Sequence, residues 1–100
     1  MAEDTVPQKI VPYQLLYHKG FAEDFTEINR DMQDRIERAI RERLGTAPEK
    51  YGSPLRKTLK GLWKLRVGDY RVVYAVRKND VTIYGVIHRR KVYKMIWKRL

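Results

Sequence analysis

Residues 87–93 read Ile-His-Arg-Arg-Lys-Val-Tyr. A run of β-branched residues stops at Ile87, four cationic or protonatable side chains follow in His88, Arg89, Arg90 and Lys91, and Tyr93 closes the stretch. The imidazole of His88, with a reference pKa of about 6.5, can give or take a proton near neutral pH. Guanidinium groups grip phosphate through a planar fork. A phenol such as Tyr93 can stack on a nucleobase. The same residue types also make a solvated basic run that serves only solubility, so their position in the fold has to decide among proton transfer, polyanion binding and bare charge.

The chain around them has 100 residues, enough for one domain. Residues 1–12 lack periodicity, include Pro7 and Pro12, and are expected to form a flexible leader to a single domain over 13–100. Cysteine is absent, and the two histidines, His18 and His88, are far apart, so neither a disulfide nor a metal site is indicated and no cofactor is expected. No apolar stretch approaches the roughly 18 residues of a membrane span, and the polar, acidic N-terminus lacks the apolar segment of a signal peptide. The expectation is a cytoplasmic protein with no membrane partner. The net charge is +10, and its distribution is uneven. Residues 1–55 hold eight Lys/Arg and ten Asp/Glu; residues 56–100 hold fourteen Lys/Arg against Asp69 and Asp80 alone. A basic half of this kind points to a nucleic-acid or acidic-protein partner more than to a solvated face.

Periodicity supplies the elements that must position these groups. Tyr13, Leu15 and Tyr17 alternate over 13–19, a strand that Gly20 should end. Phe21, Phe25 and Ile28 follow at helical spacing. After a tight connection, Asp31 should cap a second helix with Asp34 in its first turn, the stripe Met32, Ile36, Ala39, Ile40 and Leu44 on its inner face, and Gly45 as its left-handed C-terminal residue. The two helices should form an antiparallel hairpin. Three strands are expected at about 58–67, 70–77 and 81–88, joined by Gly68-Asp69 and by Lys78-Asn79-Asp80. Val92, Ile96, Trp97 and Leu100 place a short helix at the C-terminus. The order is that of an α+β domain: an antiparallel sheet packed against an N-terminal helix hairpin, with a short C-terminal helix.

A two-residue loop at Gly68-Asp69 fixes which side chains share a face. Val67 then faces Tyr70, Leu65 faces Val72 and Trp63 faces Tyr74, six apolar positions for the helices to cover. On the other face Arg66 lies across from Arg71 and Lys64 from Val73. Like charges directly opposite are destabilising, so two arginines kept there suit an anion. If Arg77 pairs with Asp80 and the next ladder runs straight, Tyr70 faces Ile87, Arg71 faces Val86, and Val81, Ile83 and Ile87 join the apolar face. His88 then joins Arg66 and Arg71 at one sheet end, with Lys64, Arg89 and Arg90 adjoining. A slip of one residue would reverse this. Trp63 and Trp97 are expected in the core, and His18 in a structural role.

The stretches "LWKLRVGDYRVVYAV" and "VTIYGVIHRRKVY" resemble the RelE/ParE superfamily of bacterial toxin–antitoxin toxins, over about residues 13–97 and in the same strand–helix–helix–three-strand order. The resemblance implies a RelE-like toxin that cleaves messenger RNA in the ribosomal A site and is neutralised by a cognate antitoxin in a hetero-oligomer. The family's sheet arginine falls on Arg71, its lysine in the preceding strand on Lys64, its later arginine on Arg89 beside His88, and its C-terminal tyrosine on Tyr93. A second family lysine falls on Leu62, and the carboxylate base of other members has no clear counterpart.

The reaction so implied is attack of an RNA 2′-OH on the adjacent phosphate, with no metal required where arginine and lysine supply the positive charge. Lys64, Arg71, His88, Arg89 and Tyr93 are the catalytic candidates, Arg71 for the phosphate and His88 for the proton; Arg66, Arg90 and Lys91 are candidates for RNA binding. The antitoxin would bring acidic groups to the basic sheet end and an amphipathic helix to an apolar groove. A gyrase-inhibiting toxin of the ParE type and a non-catalytic nucleic-acid-binding module are the alternatives.

Overall fold

The protein is described by a computed structural model over residues 13–55 and 61–99. The expected leader 1–12, residues 58–60 of the first long strand and Leu100 lie outside the described residues. The chain runs through β1 (Gln14–Tyr17), α1 (Lys19–Thr26), α2 (Arg30–Ala39), α3 (Pro48–Tyr51), β2 (Ser53–Pro54), β3 (Leu62–Val67), β4 (Tyr70–Arg77), β5 (Asp80–His88) and α4 (Val92–Ile96). A π turn over Ile40–Leu44 extends α2, and a 3₁₀ turn over Trp97–Arg99 extends α4. The sheet order is β1-β5-β4-β3-β2. The α+β expectation holds, with one correction to the sheet: β1 lies parallel to β5, while every other pair is antiparallel.

Local capping explains where the helices begin. Gly20 does not end a strand but sits in the first turn of α1, because His18 Nδ1 accepts the Gly20 N–H at 2.9 Å and starts the helix at Lys19. The cap of α2 is Asn29, two residues before Asp31: Asn29 Oδ1 accepts the Met32 N–H at 2.9 Å, and Asp31 instead lies in the first turn, where its charge suits the helix dipole. Gly45 is not left-handed. Its φ is −73°, and its N–H reaches back five residues to the Ile40 carbonyl at 3.0 Å, closing the π turn.

Both sheet faces are covered, not one. Ile28, Ile36, Ile40 and Leu44 pack with Leu65, Val67, Val72, Tyr74, Val81, Ile83 and Val86 in the larger core, joined by Phe21, Phe25, Trp63 and Tyr70. On the opposite face Leu55, Leu62, Val73 and Ile87 form a smaller core with Val92 and Ile96 of α4. Trp97, expected inside, is 52% exposed, because the helix gives way to 3₁₀ geometry at that residue.

The β3–β4 ladder pairs as expected, from Val67↔Tyr70 through Arg66↔Arg71 to Trp63↔Tyr74. The β4–β5 ladder starts as expected at Arg77↔Asp80 and then shifts between Tyr74↔Ile83 and Val73↔Gly85. Tyr84 is the extra residue of a β-bulge, and it reverses the alternation beyond it. Arg71 therefore faces Ile87, not Val86, and Tyr70 faces His88, not Ile87. Ile87 accordingly moves to the smaller core and Val86 to the larger.

The bulge also leaves a bare edge. β1 ends opposite Ile83, so beyond it the Tyr84 carbonyl and Val86 N–H turn outward with no strand beside them. The side chains of Asp24 and Arg99 fill the place. Arg99 Nη1 and Nη2 donate to the two Asp24 oxygens at 2.6 and 2.7 Å, Nη1 also donates to the Tyr84 carbonyl at 3.1 Å, and the Val86 N–H donates to Asp24 Oδ2 at 3.0 Å. The bond to Asp24 raises the Arg99 pKa more than burial lowers it. Gly85 leaves the room: a Cβ there would overlap the guanidinium and stand 2.6 Å from Asp24 Oδ2.

Asp24→Ala strands a largely buried guanidinium and the Val86 N–H, and should cost about 3 kcal/mol in urea unfolding. Gly85→Ala should be destabilising for the same geometric reason. Asp34→Ala, which removes only the exposed 3.8 Å pair with Arg30, should change stability by less than about 0.5 kcal/mol.

Candidate active site

The end of β3, the start of β4 and the β5–α4 turn converge on an open cavity of about 270 Å³. Lys64 projects from β3 and Arg71 from β4; Arg89 and Arg90 come from the turn, and Tyr93 from the first turn of α4, with Leu55 and Val92 as apolar walls. Lys64 and Arg71 share this face because both lie on the alternation opposite the larger core. Tyr93, 37% exposed, stays accessible while its neighbour Val92 anchors the helix in the smaller core.

Arg71 is the most constrained cation. Its Nη1 donates to the Gly68 carbonyl at 3.2 Å and to the Tyr70 carbonyl at 3.0 Å, which folds the side chain over its own hairpin. Burial lowers its pKa first, and the charges of Arg66 and Arg89 lower it further, with Asp69 acting the other way. A guanidinium stays protonated regardless. The smaller, coulombic part of the shift reflects the like charges of Arg66 and Arg89, whose repulsion a bound anion would relieve.

Arg89 is tied to the same turn. Its N–H donates to the Asp69 carbonyl at 2.8 Å, and its Nε lies 3.9 Å from Asp69 Oδ1. Both side chains of that ion pair are largely exposed, so the backbone bond is the firmer of the two. Asp69 thus joins the β3–β4 turn to the β5–α4 turn, a link not visible in the sequence.

Of the eight residues singled out from sequence, Lys64, Arg71, Arg89, Arg90 and Tyr93 meet in this cavity. His88 does not. The bulge at Tyr84 turns it to the Tyr70 face, where the two rings meet edge-on at 5.7 Å and His88 Nδ1 accepts the Arg90 N–H at 3.3 Å. It lines a separate groove with Lys91, Glu23 and Glu27. Arg66 opens onto a third groove against α2. Leu62, at the position of the second family lysine, is buried beside Val73 in the smaller core. No acidic residue lines the cavity among the described residues; Lys64 and Tyr93 are its protonatable groups besides the arginines. The signal for the altered register was Gly85, since a glycine inside a β-branched run often marks a bulge.

Residues 15–93 match a family model described as the ParE toxin of the type II toxin–antitoxin system parDE. Over 50 residues the chain is 44% identical to the protein named Toxin RelE of Mycobacterium tuberculosis, a match covering 48% of this chain and 52% of that one. The chain spans about half the length of that curated relative. Among solved structures, the toxin–antitoxin complex RelBE2 of M. tuberculosis holds a chain that superposes with a TM-score of 0.71 at 27% identity, covering 80% of this chain and 94% of that one. The chromosomal ParDE system of P. aeruginosa has a chain of the same fold, with a TM-score of 0.63 at 12% identity, covering 77% of this chain and 96% of that one.

Titration with inorganic phosphate, followed by NMR, should move the Arg71 and Tyr93 side-chain resonances and leave the His88 ring in place. A His88 shift as large as that of Tyr93 would contradict the separation of the two faces.

Proposed function

The chain belongs to the ParE toxin family of type II toxin–antitoxin systems, within the RelE/ParE superfamily, and we propose that it is a ribosome-dependent endoribonuclease. It cleaves messenger RNA in the A site and so inhibits translation. The observation that carries this reading is the cavity: Lys64, Arg71, Arg89, Arg90 and Tyr93 around one space, with no carboxylate lining it among the described residues. The match to a protein named Toxin RelE supports it as well.

The reaction needs three things of the cavity. The 2′-oxygen attacks the adjacent phosphorus, a 2′-O–P bond forms, and the P–O5′ bond breaks to leave a 2′,3′-cyclic phosphate. Negative charge builds on the nonbridging oxygens, and Arg71 holds them through its fork while Lys64 and Arg89 add field. One proton leaves the 2′-OH and another reaches the departing 5′-oxygen. With His88 on the other face, Lys64 and Tyr93 take these transfers. Amines and phenols exchange protons less readily near neutral pH than an imidazole does, so the proton steps gain little from general acid–base catalysis. Fixed alignment of the strand by the ribosome then carries more of the barrier, which accounts for ribosome dependence. The charge is supplied by side chains, and the mechanism calls for no metal.

A cognate antitoxin is the expected partner, in a toxin–antitoxin hetero-oligomer, as RelBE2 is described as a toxin–antitoxin complex. The cytoplasm, where ribosomes are, is the expected site of action. A gyrase-inhibiting role is the second reading, favoured by the ParE description of the family model. That role has no need of a phosphate cavity.

Arg71→Ala should lower messenger RNA cleavage on the ribosome by a hundredfold or more while keeping antitoxin binding and fold. Tyr93→Phe should fall by a comparable factor, and His88→Gln by less than about threefold. Mapped cuts confined to translated regions after brief induction would support the ribonuclease; arrest of DNA replication before translation, with Arg71→Ala still toxic, would replace it with the gyrase reading.

A further inference from the structure

A second cationic groove, of about 280 Å³, lies between α2 and β3. Among the described residues, Arg35, Arg38, Arg43 and Arg66 line it, with Glu42 as the single acid. Four guanidinium groups against one carboxylate leave a net charge of +3 in a small space. Among the described residues, no salt bridge engages any of the four. Arg43 lies over the Tyr51 ring at 5.8 Å from its centroid, a contact that leaves its charge uncompensated.

This groove adjoins the cavity at the β3–β4 turn. Arg66 stands directly opposite Arg71 in the ladder and is one of the charges that lower the Arg71 pKa. Arg35 reaches the same turn from the helix side, its Nη1 standing 3.6 Å from where a Gly68 Cβ would be. The Gly68 carbonyl accepts from Arg71. One two-residue turn therefore separates the two sets of cations, and Arg66 bridges them at the sheet edge.

Resting on the ribonuclease reading, we propose that this groove binds the phosphodiester backbone of the single-stranded RNA that continues from the scissile phosphate. The chemistry of its walls favours phosphate over an acidic protein segment. Among the described residues, Ala39 and Val67 are its only apolar side chains, a small apolar content beside the anchors around which protein interfaces are built. Arginine forks match phosphate and carry no preference among bases. It lies one two-residue turn from the cavity, within reach of the same strand.

The test is binding of a short RNA oligonucleotide, made uncleavable by a 2′-deoxy nucleotide at the scissile position, across a range of salt. Wild type, R35Q/R38Q, R35K/R38K and Arg71→Ala are compared, each checked for an unaltered melting curve. R35Q/R38Q should weaken binding about tenfold near 0.1 M salt and lower the slope of log affinity against log salt by about 1.4, equally for different base sequences. R35K/R38K keeps the charge and should restore the slope. An unchanged affinity and slope in R35Q/R38Q, while Arg71→Ala binds weakly, overturns the groove and leaves the ribonuclease reading standing. So does a double variant that keeps oligonucleotide binding and loses only antitoxin binding, or only co-sedimentation with ribosomes. A wild-type protein that neither binds the oligonucleotide nor cleaves messenger RNA on ribosomes overturns both.

Discussion

The Asp24–Arg99 pair is the contact on which the rest of the architecture turns. An isolated buried ion pair is weak evidence of stability, since desolvation offsets much of the attraction. This one has a second task. The bulge at Tyr84 leaves a backbone carbonyl and an N–H facing outward on β5, and the pair bonds both. A buried backbone group without a partner would cost about as much as a lost hydrogen bond. Two side chains thus do the work of a missing strand and close an edge that would otherwise invite pairing with another chain. The pair also ties α1, on the larger core, to the turn that ends α4, on the smaller. Gly85 and Gly20 both leave space for the guanidinium.

That clamp bears on the cavity because α4 is one of its walls. Val92 and Ile96 seat the helix in a core of few residues, too small to hold a five-residue helix firmly unaided. Arg99 fixes its far end, and Tyr93 is held where Arg71 and Lys64 point. The larger core has its own anchor. Tyr74 is fully buried, and its hydroxyl donates to the Pro48 carbonyl at 2.6 Å, tying α3 to the middle of the sheet. Burial raises the Tyr74 pKa, so the phenol stays neutral and keeps donating. Between these anchors sits a crowd of like charges, with Arg66 and Arg71 paired directly across two strands. Repulsion there works against the fold and is tolerated only because packing elsewhere sets the strand register.

Most of the fold was legible in the sequence, and the exceptions share a cause. The β3–β4 register followed from a two-residue turn, since turn length and alternation together leave no freedom. The α2 stripe followed from its period, and Ile36, Ala39, Ile40 and Leu44 are buried as the stripe requires. Asn29 in place of Asp31, the role of Gly45 and the exposure of Trp97 were not legible, because cap geometry and the change from α to π or 3₁₀ turns are decided by tertiary fit, not by residue type. The cavity was legible in the same measure. The shared face of Lys64 and Arg71, with Arg89 and Arg90 adjoining, followed from a countable first hairpin, whereas Tyr93 was singled out by the family resemblance and Arg66 opens elsewhere. His88 was misplaced because an inserted residue in the second ladder has no effect on hydrophobic content and shows only as Gly85.

The cost of that single residue is chemical as well as geometric. A straight β4–β5 ladder would set an imidazole beside Arg71, joining the best phosphate grip to the best proton carrier of the chain. The bulge separates them by the thickness of the sheet. What stays with Arg71 is an amine, two further guanidinium groups and a phenol, with no imidazole among them. In the proposed reaction, such a site would stabilise a phosphorane well and start its formation poorly. Orientation must make up the difference, and orientation is what a rigid, externally held RNA strand supplies. Under the proposed ribonuclease reading, the bulge that needs Asp24 and Arg99 to close its edge is also what would leave the cavity dependent on a partner to align its substrate.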